Sequence, residues 1–233
     1  MKPFIKVDRV NSSKEAKNLE MAGVRIVSVS LIEDPRFSDS RVLSFNEARD
    51  VRNVLESAKF CGEIGPEHWS SGDFFSMVKQ LGFEYIQISG TRFPNPSLRM
   101  KLMKLGIGII YAGIEVSYED DPSWILSRFQ DEKDIKASFF QLDLLPDMEN
   151  SWDFLNMECP KYPEELQVRD INDLAIHNPL IVTTDISKGN IKEIADRLPD
   201  AQGIYMTLGD IPRRQDFHWF GLDRVFEILK HLR

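Results

Sequence analysis

Two aspartates, Asp8 and Asp143, each follow a short apolar run, at residues 4–7 and 137–142. Such runs, bounded by polar residues, are typical of buried strands. Parallel α/β proteins carry their chemistry where the strands end, so both carboxylates fall at candidate active-site positions. Two carboxylates on opposite sides of one site can act as general base and general acid. The alternative is that both are strand-end carboxylates in solvated loops.

The elements around Asp8 predict a βαβα unit. A helix-like segment follows the first apolar run and ends near Gly23, and a β-branched run at residues 24–31 comes next. Ser44 and Glu47, three residues apart, form a capping-box pattern for the following helix. Strand, helix and strand in this order imply a parallel sheet with a right-handed crossover.

The same unit repeats through the chain. Six further candidate strands lie at residues 58–64, 84–89, 107–116, 137–142, 179–183 and 203–207. Eight strands, each followed by a helix or helix-like segment, predict one α/β domain over residues 1–233, a single (β/α)8 TIM barrel. A doubly wound open sheet is the alternative, because periodicity does not say whether the first strand pairs with the eighth.

One helix start is predicted from a proline. Pro is favoured in the first turn of a helix, so Asp121-Pro122 predicts that a helix begins there.

Composition limits the classes of function. The net charge of -8 disfavours nucleic-acid binding, which relies on Lys and Arg neutralising phosphates. The chain has no long apolar run, so we expect it to have no signal peptide and no membrane span. Cys61 and Cys159 lack metal-ligand spacing and are interpreted as reduced thiols of a cytoplasmic protein. The four His have no zinc-site spacing, and no nucleotide-binding motif is present, so we expect neither a metal nor a cofactor.

Four short stretches carry a resemblance to a known family: Ile5-Lys6-Val7-Asp8, Ser40-Arg41-Val42-Leu43-Ser44, Ile86-Gln87-Ile88-Ser89-Gly90 and Phe140-Gln141-Leu142-Asp143. In order and spacing they are similar to motifs of phosphoribosylanthranilate isomerase, the tryptophan-pathway (β/α)8 enzyme. The resemblance implies an Amadori-type conversion of an aminoaldose to an aminoketose. Asp8 stands at the position of that family's catalytic cysteine base, and Asp143 would be the acid. The related histidine-pathway sugar isomerase uses an Asp–Asp pair, so this replacement is compatible with the chemistry.

The resemblance also implies a substrate site. Arg41 would bind an aromatic carboxylate of the substrate through a bidentate pair, and its alternative role is a surface salt bridge. The other candidate substrate-binding residues are Gln87, which lies in a matching motif, and Thr184 and Gly209, which stand at the positions of the family's stretches after the seventh and eighth strands. The implied ligand is a small molecule that bears a carboxylate, with a sugar phosphate as one option, and a protein partner is the alternative.

The phosphate positions depart from the family. Thr184-Asp185 replaces a Gly-Gly pair after the seventh strand, and Asp210 follows Gly209 after the eighth. Each carboxylate ~4 Å from a phosphate would cost on the order of 4 kcal/mol before screening. Asp185 has an alternative role as the cap of a helix starting at Ser187. The simplest interpretation is that the sugar-phosphate site has been lost.

Two hypotheses therefore remain. The first is an isomerase-like enzyme that acts on an altered substrate through Asp8 and Asp143. The second is a catalytically silent isomerase-like barrel that serves as a subunit or protein-binding module of a larger complex.

Overall fold

A computed structural model describes residues 3–69, 73–89, 93–132, 134–146, 150–157 and 165–232. Within these ranges, eight parallel strands form a closed barrel in sequence order. The strands are β1 Phe4–Asp8, β2 Ile26–Ser30, β3 Lys59–Glu63, β4 Tyr85–Ser89, β5 Gly108–Val116, β6 Ala137–Leu144, β7 Leu180–Thr183 and β8 Gly203–Thr207. β1 pairs with β8 from Phe4 opposite Gly203 to Asp8 opposite Thr207, which closes the sheet. The predicted (β/α)8 barrel is thus confirmed, and the open-sheet alternative is wrong.

The helices follow the strands around the barrel. They are α1 Ser13–Met21, α2 Phe45–Val54, α3 Phe74–Leu81, α4 Pro96–Lys104, α5 Ser127–Gln130, α6 Ser151–Met157, α7 Val168–His177, α8 Ile191–Arg197 and α9 Leu222–Leu232, with a 3-10 turn at Pro66–His68. The predicted capping box of α2 is present, with Ser44 and Glu47 exchanging hydrogen bonds. α3 ends where Gly82 adopts a left-handed backbone with φ of 67°, as the C′ position of a helix favours.

Two predicted helix starts are wrong. Asp121 Oδ1 accepts hydrogen bonds from the backbone and hydroxyl of Ser123, so the chain forms a local turn and α5 begins only at Ser127. Asp185 does not cap a helix at Ser187. Its carboxylate is bound by Ser151, and α8 begins at Ile191.

Apolar side chains fill two layers. One lies between the sheet and the helices, and the other closes the lower interior with Ile26, Cys61, Ile110, Phe139, Ile181 and Tyr205. Burial raises the pKa of the Cys61 thiol to about 12, although Lys6 nearby opposes the shift. Cys159 lies outside the described residues. No helix in the described part of the chain has the length and apolar character of a membrane span.

Candidate active site at the carboxyl ends of the strands

The upper interior of the barrel is polar and centres on Lys6. Lys6 forms a buried ion pair with Asp8 on the same strand. Its Nζ also donates to Gln87 Oε1 at 2.6 Å and to Gln141 Oε1 at 2.8 Å. β1, β4 and β6 are not neighbours in the sheet, so these bonds cross the interior. Lys6 thus has an acceptor for each of its three protons, which is what a fully buried ammonium requires.

Asp8 is bound on both carboxylate oxygens. Lys6 holds Oδ1, and Gln141 Nε2 donates to Oδ2 at 2.8 Å. Asp8 is 3% exposed, so little water solvates it. Period-two alternation puts Lys6 with Asp8, and Gln141 with Asp143, on the same inward face of their strands. The Gln141–Asp8 bond therefore connects the two candidate catalytic strands directly.

Asp143 forms an ion pair with a histidine from the segment that follows β8. His218 Nδ1 lies 2.6 Å from Asp143 Oδ1, and the His218 backbone N–H donates to Oδ2 at 3.2 Å. The other ring nitrogen, Nε2, lies 3.5 Å from Asp185 Oδ2. Burial alone would lower the pKa of His218, but hydrogen bonds to Asp143 and Asp185 and their charges raise that pKa to about 9. His218 is therefore a cation at neutral pH.

Asp185 is positioned by α6. Ser151, the first residue of α6, donates to Asp185 Oδ2 from its backbone at 2.6 Å and from its hydroxyl at 3.0 Å. The same hydroxyl lies 2.7 Å from Thr184 Oγ1. Burial would raise the pKa of Asp185, yet hydrogen bonds from His218 and Ser151 lower it. His218 thus links β6, β7 and α6.

Tyr205 on β8 is close enough to Asp8 and Asp143 to interact electrostatically with both. It is 3% exposed, and the Lys6 Nζ lies 5.9 Å from the centre of its ring. Burial raises its pKa well above the ordinary value, and the charges of Asp143 and Asp8 add to this shift. Gln141, which precedes Asp143 by two residues on β6, donates to Asp8, so alternation along β6 places both carboxylates toward the same interior.

Arg41 lies outside this interior. Its Nη2 is 2.6 Å from both carboxylate oxygens of Glu15, and its Nε donates to the Arg9 carbonyl at 2.8 Å. Asp210 Oδ2 lies 3.6 Å from Nη1. The guanidinium therefore joins α1 to the barrel rim through protein partners.

Arg9 has a left-handed backbone, with φ of 60°, at the position where the resembling family has glycine. Such a conformation is uncommon for a residue with a side chain. Its guanidinium donates to the carbonyls of Leu208 at 2.8 Å and Asp39 at 3.0 Å, and stacks 3.7 Å from the centre of the Phe37 ring. These contacts hold the strained backbone in place.

Two loops cover the mouth. The β2 loop (residues 31–44) and the β8 loop (residues 208–221) are joined by Ser38 N to Ile211 O at 2.8 Å and Arg213 N to Arg36 O at 2.7 Å. Phe37 and Phe217 meet edge to face at 5.2 Å between ring centres, and both are 2% exposed. Arg214 Nη2 donates to Glu115 Oε2 on β5 at 3.0 Å, which fastens the β8 loop across the mouth.

Five backbone donors that follow β7 and β8, where a phosphate could bind, already have acceptors within the chain. They are Asp185 N to Ser151 Oγ at 3.3 Å, Ile186 N to Thr184 O at 2.7 Å, Leu208 N to Asp8 O at 3.1 Å, Gly209 N to Phe220 O at 3.1 Å and Ile211 N to Asp39 Oδ1 at 3.0 Å. The Phe37 ring packs against Gly209 where a Cβ would stand. These five N–H groups are therefore not free to bind a phosphate, and the Phe37 ring occupies the space beside Gly209 in this conformation.

The structure gathers some of the predicted site residues and separates others. Asp8, Gln87 and Asp143 face the interior, Thr184 and Gly209 lie in the loops after β7 and β8, and Arg41 is held by Glu15. Their catalytic and substrate-binding roles stay predictions.

The sequence prediction did not include the partners of these residues: Lys6, Gln141, Tyr205, His218 and Ser151. Alternation along β1 and β6 could have identified Lys6 and Gln141 as inward-facing. No sequence pattern identifies His218, because its role depends on the path of the β8 loop.

The closed barrel and its buried charged and amide groups define a class, a (β/α)8 barrel with a polar interior at the carboxyl ends of its strands. Solved phosphoribosylanthranilate isomerases have the same fold. The Pyrococcus furiosus structure is 15% identical with a TM-score of 0.64, covering 99% of this chain and 98% of that chain. The Thermotoga maritima structure is 13% identical with a TM-score of 0.66 over the same shares. The Thermus thermophilus structure is 13% identical with a TM-score of 0.62, covering 98% of each chain.

At these identities the similarity shows the fold and not membership of that family. No protein-family model matches the chain, and no curated protein sequence matches it.

Proposed function

We propose that this chain is an isomerase-type enzyme that moves a proton within a hydroxy- or amino-carbonyl substrate lacking a phosphate. Asp8 is the base and Asp143 the acid. The observation that carries the proposal is that both carboxylates lie on inward faces of their strands: Gln141, two residues before Asp143 on β6, donates to Asp8 across the interior. An interior that served only as scaffold would be expected to be apolar, because buried ionic groups stabilise a fold no better than well-packed apolar ones.

The two carboxylates have different partners, which suits different roles. Asp8 is paired with the Lys6 ammonium and is therefore the anion that can accept a proton from carbon. Asp143 is hydrogen-bonded to His218, whose raised pKa of about 9 keeps a proton at this pair at neutral pH. The pair can therefore supply a proton to the ring oxygen of a closed sugar. Substrate entry requires the β2 and β8 loops to separate, because Asp8 and Asp143 are each 3% exposed.

A substrate without phosphate follows from the loops after β7 and β8. Five of their backbone donors are bound by acceptors of the chain, and Asp185 and Asp210 lie among these residues. A dianion there would have to displace these bonds against two carboxylates.

The test is proton exchange in heavy water. Unphosphorylated aldoses and N-aryl glycosylamines are incubated with the protein, and deuterium at the carbon next to the carbonyl carbon is followed by NMR. We expect exchange with at least one of these compounds. The exchange rate should fall roughly 100-fold or more in Asp8→Asn and in Asp143→Asn. Asp210→Asn is the matched control, because this side chain is 64% exposed at the same rim. Full activity in Asp8→Asn and in Asp143→Asn, with their folding shown by urea unfolding, would contradict the assignment.

A second candidate function is the catalytically silent barrel that serves as a subunit or protein-binding module. The covered mouth favours it, since Phe37 and Phe217 lie where a ligand would enter. Both proposals predict no calorimetric heat with inorganic phosphate, so turnover separates them. Absence of exchange with every compound, from a protein that unfolds cooperatively, would support the silent barrel, and any exchange lost in Asp8→Asn would exclude it.

A further inference from the structure

The opposite end of the barrel, where the strands begin, contains a cavity of about 660 Å³. This volume lies within the range of roughly 300–1,000 Å³ found for small-molecule sites. A hollow beside β5, near the other end, measures about 310 Å³. The cavity lies between the first residues of β1 and β2 and the end of α9, and none of its lining residues belongs to the candidate active site. The proposed isomerase activity therefore gives no reason for it.

Aromatic rings line the inner wall of this cavity. The Phe139 ring lies 5.2 Å from that of Phe4 and 5.7 Å from that of Tyr85, measured between ring centres. The residues opposite two of these rings are glycines. A Cβ at Gly203 would lie 2.7 Å from the Phe4 ring, and one at Gly108 would lie 2.6 Å from the Tyr85 ring. The missing side chains leave room for the rings within the barrel end, where they offer an apolar face to a ligand.

The rim of the cavity carries two cations. Arg25 is exposed and forms no ion pair with any residue in the described ranges. Lys59 pairs with Glu84 at 2.5 Å, which neutralises its charge. Asp200 also lines the cavity but does not pair with Arg25. Among the described residues that line the cavity, Arg25 is thus the cation available to an incoming anion.

The Tyr85 hydroxyl adds a neutral donor on the same wall. Burial raises the pKa of Tyr85, and the charge of Lys59 nearby opposes the shift. The phenol therefore keeps its proton at neutral pH and can donate a hydrogen bond. The cavity therefore offers apolar rings to a flat ligand. It also offers one unpaired guanidinium and one phenol donor to an acidic group of that ligand.

We propose that this cavity binds a small aromatic anion, a carboxylate or sulfonate. Its ring packs on Phe139 and Tyr85, and its acidic group pairs with Arg25. This site is independent of the chemistry at the other end of the barrel, so it stands or falls separately from the isomerase proposal.

The test is a fluorescence titration of the full chain with 8-anilinonaphthalene-1-sulfonate, and with the uncharged N-phenyl-1-naphthylamine for comparison. We expect saturable binding of the sulfonate, weakened about tenfold in Arg25→Gln because a charge-assisted hydrogen bond is lost. The uncharged dye should bind both proteins within about twofold, since it makes apolar contacts only. Arg169→Gln is the matched control, an exposed arginine at the start of α7 that does not line the cavity, and it should keep the wild-type affinity.

Amide NMR shifts then locate the bound sulfonate. They should centre on Phe4, Arg25 and Gln202, which line the cavity. Equal sulfonate affinity in Arg25→Gln and the wild type would overturn the proposal. Shifts centred on Asp8 and Phe217 would overturn it too, because they would place the dye at the other end of the barrel.

Discussion

Replacing His218 by glutamine should destabilise the protein in a pH-dependent way. His218 is 6% exposed and stands between Asp143 and Asp185, which raise its pKa from 6.5 to about 9 against the effect of burial. A raised histidine pKa stabilises the folded state. This stability is fully present below pH 6.5, the pKa of histidine in the unfolded chain, and is lost as the pH rises through about 9. The raised pKa adds about 3 kcal/mol to the free energy of unfolding at pH 6, about 1 kcal/mol at pH 8 and almost nothing at pH 10.

The assay is urea unfolding of wild type and His218→Gln at pH 6, 8 and 9.5, with the free energies compared at each pH. The difference between the two proteins should be largest at pH 6 and should shrink at each step. His177→Gln is the matched control, because His177 is an exposed histidine at the end of α7, and its effect should stay within about 0.5 kcal/mol at every pH. A His218→Gln difference that is the same at pH 6 and pH 9.5 would refute the charged His218 and the ion pairs assigned to it.

Two further substitutions test the packing of the mouth and the interior. Gly209→Ala should cost about 1–3 kcal/mol, because its Cβ would meet the Phe37 ring, which Arg9 holds in place. In Gly221→Ala, on the same loop, the Cβ has open space, so a similar loss in urea unfolding there would contradict this reading. Lys6→Met should cost about 3–5 kcal/mol by leaving Asp8 buried without its cation. Adding Asp8→Asn should recover part of that loss, and a double-mutant cycle without coupling would count against the pair.

The fold could be predicted from the sequence because its signals are local. The apolar runs of β5 and β6 identify strands buried on both faces, and Ser44 with Glu47 identifies the start of α2. The helix expected at Pro122 is wrong for a local reason as well, since the Asp121 side chain forms a turn with Ser123 in place of a helix cap.

The candidate site could be predicted only in part. Asp8 and Asp143 end apolar runs, so their positions at the ends of strands follow from the sequence alone. Their partners do not follow in the same way. Lys6 reaches Gln87 and Gln141 across the interior, and this contact exists only once the sheet has closed.

By itself, then, the sequence determines eight strands with helices between them and the carboxylates at the ends of two of those strands. Both follow from periodicity, which is a property of neighbouring residues. Only the tertiary structure decides that His218 joins Asp143 to Asp185, that Arg41 is held by Glu15, and that Phe37 fills the space beside Gly209. The physical reason is that these contacts join loops far apart in the chain, and the barrel must close before those loops can meet.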